Sequence, residues 1–324
     1  MPAQKVNAFE IAKALKGVQR IAIFGHVLPD SDCYGSVFGM KAALAKAGKE
    51  VFVYLDARIP YNLEFFKNFD NLENCPYFQN ADIALVFDAS ALDRVENLEI
   101  LKDYKDNGVP VFVIDHHISG GISDFADFIW QDSDKSSASE MAFDILKVAG
   151  FSIDKGAATF FLAGIEGDTG GFQHQNTTRE SLEAAGYLIS KGARYRLIAD
   201  NLLNPQNGLN ILRLYGLVLE RLIYNKKYQT VTSYLTLEDA KKFGVEGDSY
   251  SGVANLLNVI DGAKAIIFIS EREDGILKVS LRTRDKNVDV QKLASYVGGG
   301  GHVKASGFTL RGKIVIEDGQ PKIV

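Results

Sequence analysis

Residues Ile21–Asp32 read IAIFGHVLPDSD: an apolar run long enough for a strand buried on both faces passes directly into His26, Asp30 and Asp32. The pattern recurs downstream. Val51–Leu55, Ile83–Phe87 and Val111–Ile114 are further apolar runs, the third followed by Asp88-Ala89-Ser90 and the fourth by Asp115-His116-His117. Continuous apolar strands alternating with helical patterns predict a parallel sheet covered by helices on both faces, and in such sheets ligands gather at the carboxyl ends of the strands. Between the strands, Ser36–Ala47 places Val37, Met40, Leu44 and Ala47 at helical spacing and stops at Gly48.

After the fourth strand the pattern turns helical. Ser137–Val148 opens on a Ser137/Glu140 capping box, and Ala157–Gly164 and Arg179–Lys191 follow. The turn-rich stretch Asn201–Asn210 leads to a helical pattern over Ile211–Ile223. Strand patterns at Lys227–Tyr234, Ala265–Ser270 and Leu277–Thr283 then alternate with helical ones at Leu237–Phe243 and Val288–Val297. The expected fold class is α/β: a larger N-terminal domain (1–195) with a mostly parallel sheet flanked by helices, a helical linker (196–222), and a smaller mixed α/β C-terminal domain (223–324).

Composition narrows the function classes. A chain of 324 residues that is 46% hydrophobic can bury a core in each of two domains. The 36 basic and 41 acidic residues leave a net charge of −5, so no global positive field attracts long duplex nucleic acid. A short anionic substrate is expected instead. Cys33 and Cys75 have no metal-ligand spacing and provide no disulfide framework, in keeping with a reducing compartment. The start of the chain lacks a signal-peptide core, and no apolar run approaches the roughly 18–20 residues of a membrane span. A soluble cytoplasmic protein without a membrane partner is expected, and a homodimer is compatible with this reading.

The chemistry concentrates in four segments: GHVLPDSD (Gly25–Asp32), DAS (Asp88–Ser90), DHH (Asp115–His117) and GDTGGF (Gly167–Phe172). Asp168 of the last is expected in a glycine-rich turn, swinging a carboxylate over the same sheet edge. Carboxylates and imidazoles make a hard-to-borderline ligand set that suits manganese and is compatible with magnesium, iron, cobalt or zinc. Two such cations about 3.5–4 Å apart activate water and stabilise the entering and leaving oxygens at phosphorus. The Asp30-Ser31-Asp32 spacing aims two carboxylates one way, and Asp88 is the candidate bridge. Taken singly, Asp88 reads as a helix cap or turn residue and His26 as a buried core histidine. Adjacent His116 and His117 should point to different sides of an extended chain. Jointly the picture changes, because His26, His116, His117, His174 and His302, all the histidines of the chain, lie in or beside Gly/Asp-rich segments.

These four motifs, in this order and spacing, resemble those of the DHH phosphoesterase superfamily. SLRTR (Ser280–Arg284) and GGGGHVKASG (Gly298–Gly307) are similar to its DHH-associated C-terminal domain. The resemblance runs from about Arg20 to Phe308 and is greatest to bifunctional oligoribonucleases that also remove phosphate from pAp, with stand-alone cyclic-dinucleotide phosphodiesterases similar in layout. It implies two divalent metal ions, Mn2+ foremost: one on His26, Asp30 and Asp88, the other on Asp32, Asp88, His116 and Asp168. It further implies that His117 faces the scissile phosphate and that Asp115 orients a histidine. Ser31 departs from the pattern where many members carry glycine, and a positive φ there would strain it.

In the C-terminal domain, alternation along Leu277–Thr283 puts Lys278, Ser280, Arg282 and then Arg284 on a cationic face opposite Val279 and Leu281. Gly298, Gly299, Gly300 and Gly301 disfavour regular structure, so a close backbone approach that cradles phosphate is expected there, with His302 and Arg282 adding charge-assisted bonds. The function expected is hydrolysis of short RNA oligomers, dinucleotides such as pApA or cyclic di-AMP, or pAp. Two alternatives are an inorganic-pyrophosphatase-like enzyme and a regulatory module that binds a cyclic dinucleotide without cleaving it.

Overall fold

The apolar runs of the first half assemble into one sheet. A computed structural model of the chain describes residues 3–55, 59–70, 72, 78, 80–117, 120–202, 208–245, 253–317 and 320–324. Two compact units divide it, Met1–Asn204 and Pro205–Val324. Cys75, and residues 203–207 of the stretch expected to be turn-rich, lie outside the described residues.

The first unit contains β1 (Gln4–Lys5), α1 (Ala8–Gly17), β2 (Arg20–Phe24), α2 (Ser31–Lys46), β3 (Glu50–Tyr54), β4 (Ile83–Phe87), α3 (Leu98–Asp106), β5 (Val111–Asp115), β6 (Phe128–Gln131) and helices α4 (Ala138–Ala149), α5 (Lys155–Thr169), α6 (Arg179–Ser190) and α7 (Tyr195–Leu202). Its strands pair in the order β1-β6-β5-β4-β2-β3, each pair parallel. Strand alternation buries both faces. Ile21, Ile23, Leu85, Phe87 and Ile114 pack with Ile11, Leu44, Met141 and Phe161 of the helical layer, and Ala22, Phe24, Val86 and Val113 pack with Leu101 and Tyr104 of α3. Strand β2 is flanked by β3 on one side and β4 on the other, so the connections diverge there and open a crevice at the carboxyl ends of β2 and β4. The sequence reading missed β1 and β6, both short and at one edge of the sheet.

Helix α2 begins at Ser31, five residues before the expected start. Asp30 caps it, its carboxylate accepting the Asp32 and Cys33 amides at 3.0 and 3.1 Å. Residues Asp32–Met40 are all buried, so the first turns lack the amphipathic stripe that marks a surface helix. Ser31 lies in this helix and is not among the positive-φ residues, so the expected strain is absent.

Helix α5 also outruns its expectation. It continues to Thr169 and ends at Gly170, whose φ is +57°, so Asp168 sits in its last turn and not in a glycine-rich turn. The glycines that read as breakers are contact points. A Cβ on Gly164 would stand 1.9 Å from Ser139 Oγ, one on Gly167 1.8 Å from Ser31 Oγ, and one on Gly35 2.7 Å from the Phe160 carbonyl. At the head of α4, Ser137 Oγ accepts the Glu140 amide at 3.0 Å. The Glu140 carboxylate turns instead to the Ser136 amide and hydroxyl, at 2.9 and 2.7 Å, so the reciprocal half of the capping box moves one residue upstream.

The second unit opens with α8 (Gly208–Glu220) and continues through β7 (Ile223–Asn225), β8 (Thr230–Leu235), α9 (Leu237–Lys242), α10 (Val253–Leu257), β9 (Ala265–Arg272), β10 (Ile276–Arg282), α11 (Val290–Ser295), β11 (Gly300–His302), β12 (Ala305–Arg311) and a hairpin of β13 (Ile314–Glu317) and β14 (Gln320–Ile323). Its main sheet has the order β11-β12-β10-β9-β8-β7, with β8 and β9 parallel and the other pairs antiparallel. One face packs Val279 and Leu281 against Val290 and Ala294 of α11. On the opposite face Ile266 and Phe268 pack with Ile211, Leu214 and Val253.

The glycine run behaves differently from expectation. Gly300 and Gly301 enter a regular strand, β11, paired with Gly307 and Ser306. The close backbone approach is internal: a Cβ on Gly299 would lie 2.3 Å from the Gly307 carbonyl, and one on Gly301 2.6 Å from the Ala305 carbonyl. Gly298 has φ +79° at the end of α11, and Gly300 faces open space.

Among the described residues no helix is long and apolar enough to cross a membrane. Gly164→Ala is expected to destabilise the first unit by about 1–3 kcal/mol through overpacking, read as a lower midpoint in urea or thermal denaturation. An unchanged midpoint would show that α2, α4 and α5 have room to separate.

Candidate metal centre

Three strands deliver ligands to the crevice. The loop after β2 carries His26 and Asp30, that after β4 carries Asp88, and β5 ends on Asp115 with His116 and His117 following. The backbone fixes the first of these loops: Val27 N–H donates to the Arg94 carbonyl at 2.7 Å, Glu96 N–H to the Gly25 carbonyl at 2.9 Å, and His26 bridges Val95. Asp88 adopts a left-handed backbone, φ +59°, while its amide donates to the Ile114 carbonyl at 3.0 Å. Such a conformation is uncommon outside glycine and is often found where function demands it.

The side chains converge. His26 Nδ1–H donates to the Val27 carbonyl at 2.9 Å, which fixes its tautomer and leaves Nε2 at 3.3 Å from Asp88 Oδ2 and 3.8 Å from Asp30 Oδ1. His116 Nε2 lies 3.1 Å from Asp168 Oδ2, 3.5 Å from Asp88 Oδ1 and 3.8 Å from Asp32 Oδ2. The potential ligand atoms of His26, Asp30 and Asp88 lie within 4.8 Å of one another, and so do those of Asp32, Asp88 and His116. Asp88 belongs to both groups. His117 Nδ1 stands 2.9 Å from Asp115 Oδ1 and 3.3 Å from Asp88 Oδ1. The two adjacent histidines therefore both approach Asp88, since the chain has left the strand at Asp115 and extended alternation no longer applies.

Charge explains why such a cluster calls for cations. Burial, together with Asp168 and Asp88, pushes Asp32 well above the usual carboxylate range. Burial acts in the same direction on Asp88, but bonds to His116 and His26 outweigh it and hold Asp88 well below that range. Burial disfavours a charged His116, yet Asp168 and Asp88 prevail and raise its imidazolium well above the ordinary histidine value. Protons thus stand where metal charge would stand. Asp88 Oδ1 is buried with no well-formed hydrogen bond among the described residues, its neighbours His117 Nδ1 and His116 Nε2 standing at 3.3 and 3.5 Å, an arrangement that a cation would complete. Oxygen and imidazole donors at this spacing fit two hard-to-borderline divalent ions.

Supporting contacts had no clear signal in the sequence. Both Asp32 oxygens accept amides at the head of α4, Ala138 N at 2.6 Å and Ser139 N at 2.8 Å, so a helix N-terminus holds this carboxyl group in place. His174 Nδ1–H and Asn176 Nδ2 both donate to the Asp168 carbonyl, at 2.9 and 3.2 Å. The His174 ring lies over Gly170, where a Cβ would come within 2.4 Å of Nε2. The polar HQN stretch after GDTGGF was the available hint.

Arg282, Arg284, Gly298–Gly301 and His302 belong to the second unit. Arg282 pairs across β10 and β12 with Ala305, which pairs with His302 on β11; Ser280, Gly307 and Gly300 form the next row. Directly opposed residues share a face, so Arg282 and His302 stand on either side of Ala305, beside a row of serine and glycine. Burial lowers the Arg282 pKa from its usual value, and its Nη1 donates to the Leu281 carbonyl at 2.9 Å. Arg284 lies past the end of β10 and is exposed.

Comparison with known proteins agrees with this layout. Residues 20–165 match the DHH family N-terminal domain, and residues 227–322 match the DHHA1 domain. The chain is 35% identical to the bifunctional oligoribonuclease and PAP phosphatase NrnA of Thermus thermophilus, over 94% of this chain and 87% of that protein. It belongs to the DHH family. The Bacillus subtilis NrnA is 28% identical over 93% of this chain and 92% of its own length. The crystal structure of an exopolyphosphatase-related protein from Bacteroides fragilis superposes with a TM-score of 0.80 at 27% identity, covering 93% of this chain and 90% of that one. This DHH protein is accordingly a metal-dependent phosphoesterase, a hydrolase acting on phosphoester bonds.

Because Asp168 and Asp88 raise the His116 imidazolium above the ordinary histidine range, metal binding should displace a proton, and apparent metal affinity should fall as pH drops through the raised His116 pKa. Calorimetry in buffers of different ionisation enthalpy reads this directly, and buffer-independent heats would contradict it. A divalent ion at about a hundredfold excess over its Kd should stabilise the fold by about 3 kcal/mol. Asp88→Ala should abolish that gain and all turnover while leaving the far-UV circular dichroism unchanged.

Proposed function

We propose that this enzyme hydrolyses short nucleotide oligomers and pAp, releasing nucleoside monophosphates or phosphate, with Mn2+ as its favoured ion. The observation that carries the reading is the convergence of His26, Asp30, Asp32, Asp88, His116 and Asp168 on the crevice of the first unit. The names of the Thermus and Bacillus relatives supply the substrate class, and those relatives align through the second unit as well.

When bound, the divalent ions supply Lewis-acid charge at the phosphoryl oxygens and to the attacking water. His26, Asp30 and Asp88 would hold one ion and Asp32, Asp88, His116 and Asp168 the other, with Asp88 contributing to both groups. Asp115 accepts Nδ1–H of His117 and orients the ring, whose side chain is 28% exposed. Burial works against a charged His117, but the Asp115 bond outweighs it, so its imidazolium persists above the ordinary histidine range. His117 thereby offers a proton to the leaving oxygen and positive charge to the phosphorane-like transition state.

The second unit reads the nucleotide. Arg282 and His302 contact phosphate or base, the backbone of Gly298–Gly301 approaches the substrate on its open side at Gly300, and Arg284 adds charge nearby. So few cations neutralise few phosphates, which selects short substrates and gives a shallow salt dependence.

A manganese-supplemented panel of pAp, pApA, cyclic di-AMP and RNA oligomers of graded length, with products separated by chromatography, tests the assignment. Turnover should concentrate on the shortest substrates, and processive degradation of long RNA would overturn it. Arg282→Ala should raise KM for dinucleotides far more than for bis-p-nitrophenyl phosphate. Equal effects on both would remove Arg282 from substrate recognition.

A further inference from the structure

Beside the metal ligands, the first unit presents two side chains that hydrolysis itself does not use. Leu28 lies between His26 and Asp30, is 80% exposed, and has φ +55°. A left-handed backbone is unfavourable for a residue with a Cβ, and the following Pro29 further disfavours helical backbone at the preceding position. Glycine would relieve the strain, and so exposed a leucine contributes little to the core of the first unit. Arg94 lies on the turn after β4, where its carbonyl accepts the Val27 amide, so its backbone is tied to the same loop. Its side chain is exposed, and among the described residues neither Asp93 nor Glu96, nor any other carboxylate, forms an ion pair with it.

An exposed apolar group and an unengaged guanidinium thus project from two loops that are hydrogen-bonded to each other and that also carry His26, Asp30 and Asp88. We propose that Leu28 and Arg94 form a nucleotide subsite flanking the metal centre. Arg94 takes the phosphate that is not being cleaved, and Leu28 packs on the adjoining sugar or base. The chemistry fits. Two divalent ions balance the carboxylates of Asp30, Asp32, Asp88 and Asp168, leaving a second substrate phosphate to find its own counter-charge, and a planar guanidinium suits phosphate bidentately. An apolar side chain held at a fixed place by strained backbone offers contact area with little entropy left to lose.

This inference rests on the nucleotide-hydrolysis reading above, and the experiment separates the two. Steady-state kinetics are measured on pApA and on ApA, which differ only in the terminal 5′-phosphate, for the wild type, Arg94→Ala, Leu28→Ala and Leu28→Gly. Arg94→Ala should change the ratio of KM for pApA to KM for ApA by about tenfold, in the direction of weaker pApA binding. Leu28→Ala and Leu28→Gly should raise KM for both dinucleotides with kcat little changed, and Leu28→Gly should also raise the thermal midpoint by relieving the strain. If the wild type cleaves both substrates and Arg94→Ala leaves the KM ratio where it was, the phosphate subsite is wrong. If Leu28→Gly raises the midpoint with KM unchanged, the contribution of Leu28 is wrong. If the wild type cleaves neither dinucleotide, the functional reading falls first and the subsite with it.

Discussion

The glycine-lined crossing of α2, α4 and α5 is the contact on which the centre depends. Gly35, Gly164 and Gly167 let helix backbones approach where any Cβ would meet Ser139, Ser31 or the Phe160 carbonyl. That approach sets the position of both ends of the ligand set. Asp30 and Asp32 begin α2, Asp32 is gripped by the head of α4, and Asp168 ends α5. The strand loops alone would supply His26, Asp88 and His116; the helix crossing adds the carboxylates that bring two candidate ligand groups together around Asp88.

Bringing those carboxylates together costs energy through mutual repulsion and burial. The fold tolerates them because histidines, backbone amides and, in the working enzyme, metal ions each neutralise part of the charge. The same logic explains the firm holds on several of these side chains and their neighbours: the Val27 carbonyl fixes the His26 tautomer, Asp115 that of His117, and His174 with Asn176 grips the Asp168 carbonyl. A charge cluster that is expensive to assemble is useful only if its geometry does not relax before the ions arrive.

The second unit follows a separate rule. Its sheet is covered by α11 on one face and, around Ile266 and Phe268, by apolar partners that include Ile211 and Val253 on the other. The rows through Arg282 and His302 and through Ser280, Gly307 and Gly300 sit on that second face, toward the β11 edge. Ala305, Ser280, Gly307 and Gly300 keep that part of the face low between and beside Arg282 and His302.

The sequence by itself determined the class of fold, the strands that end in Asp or His and, through its family motifs, the phosphoester chemistry of the chain. Such features are local: an apolar run followed by Asp or His states both a buried strand and what lies at its end. Ile83–Phe87 was legible to the residue for this reason. What only the tertiary structure decided were the features whose cause is a distant neighbour. The start of α2 is hidden because a helix buried all round has no polar face. The reach of α5 to Asp168 is hidden because its glycines serve a helix crossing and look like breakers. The approach of the Gly298–Gly301 run to β12 is hidden because a glycine needed by a ligand and one needed by a neighbouring strand read alike. The joint approach of His116 and His117 to Asp88 is hidden because the strand ends at Asp115 and the chain bends at His117. In each case one chain segment constrains another far along the sequence, and only folding brings the two together.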